Sequence, residues 1–97
     1  MLPEPDKTGS LPLETAISKR RSARDFHDKD VDEKLVSQLL WACQGITDTD
    51  TGFRTAPSAG SLYPLEIFTV KKDGVYRYMP KAHSVEQVAE GDRRSNL

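Results

Sequence analysis

A hairpin is legible in residues 65–79, and the rest of the chain has to supply a surface for it to pack on. Leu65 to Val70 alternates and is rich in Ile, Phe, Thr and Val, the signature of a half-buried strand. Lys71-Lys72-Asp73-Gly74 carries an Asp-Gly turn signal, Val75-Tyr76-Arg77-Tyr78-Met79 returns, and Pro80 ends the run. A lone two-stranded ribbon is marginal in water. Its cover must come from upstream, where two helical patterns stand. The first opens at Pro12, a residue tolerated in a first helical turn. It sets Leu13, Ala16 and Ile17 on one face before running into Lys19-Arg20-Arg21-Ser22-Ala23-Arg24. Phe26, just beyond, is expected to return to the interior. The second helix is clearer. Asp30-Val31-Asp32-Glu33 fits a capping box, and Leu35, Val36, Leu39, Leu40 and Cys43 form a broad apolar stripe ending near Gly45.

The remaining segments carry weaker signals. Residues 1–11 hold Pro3, Pro5 and Gly9 with no hydrophobic period, and read as an extended arm, ordered only where it lies against something. Residues 47–61 are rich in Thr, Asp, Gly, Ser and Ala and read as a loop with at most one helical turn. Residues 84–97 are ambiguous, because Val85 and Val88 fit a helical turn that Gly91 interrupts. The class is α+β: residues 12–97 form two helices followed by a β-hairpin. That set buries little, and Gly91 to Leu97 reads as the opening of another element. The chain is expected to be part of a larger fold.

Composition excludes several functions. With 97 residues there is room for one small domain. A formal net charge of −1 argues against a protein that lives on nucleic acid, where a basic excess is expected. No apolar run approaches the roughly 20 residues that cross a bilayer. The start, Met-Leu-Pro-Glu-Pro-Asp, lacks the order of a signal peptide. The single cysteine, Cys43, excludes an intrachain disulfide and sits on the apolar stripe as a core residue. A soluble, cytoplasmic protein is expected.

Two segments could carry chemistry. Lys19, Arg20, Arg21 and Arg24 concentrate positive charge in an otherwise neutral chain. Such a run is either a solvated helix end, where cations complement the macrodipole, or an anion pocket in which guanidinium groups fork onto phosphate or carboxylate and Ser22 adds a hydroxyl. Arg54-Thr55-Ala56-Pro57-Ser58-Ala59-Gly60-Ser61-Leu62-Tyr63-Pro64 is either an ordinary surface turn or a place where small residues let a flat ligand approach the backbone, with Ser58 and Ser61 as donors. His27 and His83 are far apart and have no partner at metal-ligand spacing. There is no Walker-type loop, no G-x-G-x-x-G and no Ser-His-Asp arrangement.

Taken together, the two segments resemble a family. Arg20-Arg21-Ser22-Ala23-Arg24-Asp25-Phe26, between two helices, is similar to the N-terminal signature of the flavin-dependent nitroreductases. Ala56-Pro57-Ser58-Ala59-Gly60-Ser61-Leu62-Tyr63-Pro64-Leu65-Glu66, leading into a strand, resembles that family's second motif. Its wording from Gly60 to Glu66 is similar to the subgroup of SagB-type dehydrogenases. The resemblance covers residues 11–97 and about the N-terminal half of the family fold.

That resemblance implies a dimeric α+β fold with FMN at the dimer interface. Arg20, Arg21, Ser22 and Arg24 would hold the FMN phosphate and pyrimidine edge. Pro57, Ser58, Ala59 and Ser61 would reach the same flavin from the other subunit. Ser61 and Tyr63 stand where many members have Asn and Gln, a change the SagB-type subgroup shares. The implied reaction is ping-pong: NAD(P)H reduces the flavin, which then reduces an electrophilic small molecule such as a nitroaromatic or quinone. In a SagB-type enzyme the flavin oxidises the substrate instead. The cofactor carries the redox chemistry, which agrees with the absence of a catalytic acid–base pair. A companion chain supplying the missing half, a truncated non-catalytic dimerising domain, and a small anion or nucleic-acid binder are the competing readings.

Overall fold

The computed structural model describes residues 1–97. In chain order it contains α1 (Leu13–Lys19), α2 (Glu33–Gln44), a 3-10 turn (Ala59–Ser61), β1 (Phe68–Lys71), β2 (Gly74–Met79), a second 3-10 turn (Pro80–Ala82), β3 (Ser84–Glu90) and a last 3-10 turn (Arg94–Asn96). The class is α+β, as expected. The sheet, however, has three antiparallel strands in the order β1-β2-β3 rather than the two of a hairpin.

The third strand escaped the sequence because it is bulged. Val75 pairs with Ala89 and Tyr76 with Gln87, which leaves Val88 as an extra residue. One inserted residue breaks the period of two and leaves Val85 and Val88 three apart, a helical spacing. The β1–β2 turn also differs from expectation. Lys71 pairs with Gly74, so Lys72 and Asp73 make the turn and Gly74 belongs to the strand. Gly74 is needed there for space: a Cβ would stand 2.5 Å from the Ala89 carbonyl oxygen and from Gln87 Nε2.

The helices form where expected, but they bury different faces. Asp32, not Asp30, caps α2, its carboxylate accepting from the Leu35 amide at 2.9 Å. Three residues beyond that cap stands Leu35, so no reciprocal carboxylate completes a box. α2 buries Ser37, Leu40 and Gln44, whereas Leu35 and Leu39 of the apolar stripe stay 56% and 62% exposed. Cys43 is exposed rather than a core residue. It lines an open groove of about 890 Å³ between α2 and β1, with Val36, Leu39, Ile67, Phe68 and Val70. α1 buries nothing, and Phe26, expected inside, is 84% exposed.

What the sequence read as an arm supplies much of the core. Leu2 is buried beside Leu40 and Tyr78, with Val36, Ile67 and Val85 packed around them. The Leu2 amide donates to the His83 carbonyl at 3.1 Å. The Asp6 amide donates to Gln38 Oε1 at 2.7 Å, and Gln38 Nε2 donates to the Asp6 carbonyl at 2.8 Å. Gln38 thus pairs with both backbone groups of one residue of the arm, as a neighbouring strand would.

His83 lies at the centre of this contact, and sequence spacing gave no sign of it. Its Nδ1 is 2.8 Å from the Tyr78 hydroxyl, and its Nε2 is 2.8 Å from Ser37 Oγ and 3.0 Å from the Pro3 carbonyl oxygen. Ser37 donates its only proton to the same Pro3 carbonyl, so His83 Nε2 carries a hydrogen toward Ser37 Oγ and the Pro3 carbonyl. In the neutral ring this pattern leaves Nδ1 to accept from the Tyr78 hydroxyl. Burial pushes the Tyr78 phenol above its ordinary value, which keeps it protonated as the donor that Nδ1 requires.

Two outcomes are expected. Leu2→Ala should cost about 2–5 kcal/mol in urea unfolding followed by Trp41 fluorescence, the range for emptying a buried leucine site. A loss below about 0.5 kcal/mol, the scatter of surface substitutions, would show that the arm does not belong to the core. His83→Ala should cost about 1–3 kcal/mol, because it orphans the Tyr78 hydroxyl and removes a partner of Ser37. Unchanged exchange of the Leu2 amide in that variant would count against the network.

Candidate functional site

The loop from Gly45 to Pro64 grows out of the C-terminal end of α2 and is tied back to it. Ile46 and Arg54 form an isolated antiparallel bridge. The Thr55 amide donates to the Gly45 carbonyl at 3.0 Å, and the Thr47 amide to the Phe53 carbonyl at 2.8 Å. Beyond this neck the chain turns sharply. Ser58 supplies both anchors: its carbonyl accepts from the Ser61 amide at 3.1 Å, and its Oγ accepts from the Tyr63 amide at 2.8 Å. The turn carries Gly60 at φ 65°, and also Ser61 at 54° and Tyr63 at 45°. A left-handed conformation costs a residue with a Cβ about 1–2 kcal/mol, so two strained residues stand in one short loop.

That geometry folds Tyr63 back over Arg54. The Tyr63 hydroxyl accepts from the Arg54 amide at 3.3 Å, and the guanidinium carbon lies 4.4 Å from the ring centroid, within cation–π range. Arg54 Nη1 donates to Gln44 Oε1 at 3.2 Å, from the last turn of α2. Phe53, Arg54, Thr55, Pro57, Ser58, Ser61 and Tyr63 line a cavity of about 400 Å³. Arg54 Nε and Thr55 Oγ1 are buried without a hydrogen-bond partner.

The expected site residues fall into two groups. Pro57, Ser58 and Ser61 line the cavity, and Ala59 lies exposed on the turn beside it. Arg20, Arg21, Ser22 and Arg24 are exposed and line no part of that cavity. The Arg20 amide closes the end of α1 on the Ala16 carbonyl at 3.1 Å. Arg21 Nη1 reaches the Ser18 and Arg20 carbonyls at 3.2 and 2.7 Å, as cations do at helix C-termini. None of the three arginines forms an ion pair; those of the chain are Arg77 with Glu66 and Glu86, and Arg94 with Asp92. The Arg54–Tyr63 pair, nine residues apart, was not legible, because only the left-handed turn brings the two together. Gly60 was the one sequence sign of that turn. No three His, Cys, Asp or Glu residues are placed to hold a metal ion, and no helix is long and apolar enough to cross a membrane.

The nitroreductase family profile matches residues 17–97, a stretch that contains both the Arg20–Arg24 and the Pro57–Ser61 segments. The chain belongs to the nitroreductase family. It is 38% identical over 86 residues to a Methanocaldococcus jannaschii protein that bears a nitroreductase name, an alignment covering 82% of this chain and 43% of that protein. It also superposes on the crystal structure of a protein from Ralstonia eutropha likewise described as a nitroreductase. The TM-score is 0.90 at 37% identity, covering 97% of this chain and 45% of that one. The chain therefore spans less than half the length of either relative. The arm, outside the residues the family profile matches, lies largely within the part that superposes.

Ser58→Ala should loosen the turn without unfolding the domain. Losing the acceptor of the Tyr63 amide is worth about 1 kcal/mol, read as faster hydrogen exchange at Tyr63 with exchange at Tyr78 unchanged. Equal exchange at Tyr63 in both proteins would show that the left-handed turn holds without that bond.

Proposed function

We propose that this chain is the N-terminal part of an FMN-dependent oxidoreductase whose flavin sits between two protomers. The observation that carries the reading is the separation of its two motifs: the cavity behind Pro57–Ser61 contains none of Arg20, Arg21, Ser22 or Arg24. A ligand held by both groups is most simply held across two copies.

The residues present fit the cofactor. FMN brings a phosphate of charge near −2 and a flat polar ring. Arg20, Arg21 and Arg24 are exposed cations without a carboxylate partner, suited to charge-assisted bonds with phosphate, and the Ser22 hydroxyl adds a donor. The cavity offers two aromatic side chains, Phe53 and Tyr63, with Thr55, Ser58 and Ser61 hydroxyls and no carboxylate. The chemistry bound FMN supplies is two-electron transfer, with hydride taken from NAD(P)H and delivered to an electrophilic acceptor such as a nitroaromatic or quinone. In the SagB-type reading, which the Gly60–Glu66 wording favours, the electrons come from the substrate. For either direction this chain's task is binding and orientation. Arg20, Arg21, Ser22 and Arg24 hold one side of the ligand, and Pro57, Ser58, Ala59 and Ser61 of the other protomer hold the opposite side. A cation from that group beside the pyrimidine edge would favour negative charge there.

The decisive measurement is the visible spectrum of the purified chain before and after loading with FMN and dialysis of the free cofactor, with its mass in solution. A retained flavin band is expected on a dimer, with a companion polypeptide supplying the remaining length where the chain alone does not complete the site. Arg24→Ala should weaken FMN binding about tenfold, the effect of one charge-assisted bond. A chain that retains no flavin, alone or with a companion polypeptide supplying the remaining length, would sink the proposal and leave a non-catalytic dimerising domain.

A further inference from the structure

We propose that Arg54 is the anchoring cation for an oxyanion of the small-molecule ligand that enters the cavity behind Pro57–Ser61. The proposal rests on reading that cavity as a ligand site, and it adds a residue and a ligand chemistry that the two motifs do not contain.

Arg54 is half-buried and forms no ion pair. Its companions in the cavity lining are Phe53, Thr55, Pro57, Ser58, Ser61 and Tyr63, which carry hydroxyl groups but no carboxylate. Partial withdrawal of a cation from water without a counter-ion carries a cost. The Tyr63 ring and the Gln44 carbonyl oxygen offset that cost only in part, since neither bears a negative charge.

A guanidinium has five N–H groups. One goes to Gln44 from Nη1, and the Nε–H is buried without an acceptor. The remaining donors at the Nη end are unassigned. The neighbouring Thr55 Oγ1 is also buried and unpartnered. Two adjacent residues lining one cavity thus both carry unmet polar groups, where buried polar groups are normally paired. Both atoms are closed off even from water, so an oxyanion in the cavity would meet the unassigned Nη donors of Arg54.

Arg54 is oriented on two sides before any ligand arrives, by Gln44 at the end of a helix and by the Tyr63 ring. Tyr63 is held by Ser58 Oγ, in a turn that keeps Ser61 and Tyr63 in left-handed conformations. Strain at residues with a Cβ persists where the surrounding structure over-determines it, and it clusters at ligand clamps. A fixed guanidinium matches planar or tetrahedral oxyanions. Two sources share that chemistry: the phosphate of the flavin nucleotide, and a carboxylate on the molecule that exchanges electrons with it.

The test uses the full chain labelled with nitrogen-15, with Arg54→Gln and Arg54→Lys alongside. Titration with inorganic phosphate should shift the Arg54 Nε–H and Thr55 amide signals saturably. The shift should vanish at Thr55 in Arg54→Gln and persist more weakly in Arg54→Lys. An unchanged Leu2 and Tyr78 amide pattern controls for folding, and Arg54→Lys keeps the test valid if Arg54→Gln does not fold. A wild-type chain with no saturable shift, or an equal Thr55 shift without the charge, overturns the proposal. Binding of FMN and riboflavin then separates the sources. If Arg54 holds the phosphate, Arg54→Gln weakens FMN about tenfold and leaves riboflavin unchanged. If it holds a carboxylate, both flavins bind as before and a benzoate-induced shift is lost instead. A wild-type chain that binds phosphate at Arg54 but no flavin supports the anion site and defeats the flavin reading alone.

Discussion

Three segments distant in sequence meet at the His83 ring, and the order of the rest of the molecule follows from that meeting. The imidazole takes a proton bond from Tyr78 on β2, and shares Ser37 of α2 and the Pro3 carbonyl of the arm through its other nitrogen. His83 itself sits at φ 45° in the β2–β3 turn, which places its ring at the top of the sheet. With the buried Leu2, Leu40 and Tyr78 this cluster joins helix, sheet and arm. In a core so small, polar bonds with every partner satisfied supply orientation that apolar packing alone does not.

The faces left open agree with a chain that covers less than half of its relatives. α1 presents Leu13 and Ile17 at 71% and 66% exposure, Phe68 on the edge strand is 48% exposed, and a groove of about 890 Å³ runs between α2 and β1. The groove is lined by Leu40, Val36 and Ile67, so its apolar surface continues that of the core. Contiguous exposed apolar surface marks an interaction face. The stripe on α2 therefore has two jobs: Leu40 closes this domain's own core, while Leu35 and Leu39 face outward.

The candidate site is placed by the same helix. Gln44 ends α2 and holds Arg54, and the Gly45 carbonyl holds Thr55. The loop is thus fastened to a rigid element at its base, and its tip is strained. Such a design positions donors before a ligand binds and limits the entropy lost on binding.

Local signals in the chain determined a good deal. The helix starting after Pro12, the helix running to Gly45, the two strands flanking Asp73 and the pair of motifs that point to the family were all readable, because periodicity, capping and turn chemistry act between residues a few positions apart. Tertiary structure decided the rest. The third strand was hidden by the Val88 bulge, the arm became core because Leu2 found Leu40 and Tyr78, and Cys43 and Phe26 stayed outside because nothing in these 97 residues covers them. At the site, Ser58 and Ser61 were legible as donors, whereas the stacking of Tyr63 on Arg54 was not. Burial and long-range pairing depend on which surfaces meet, and that is a property of the assembled chain rather than of any window of its sequence.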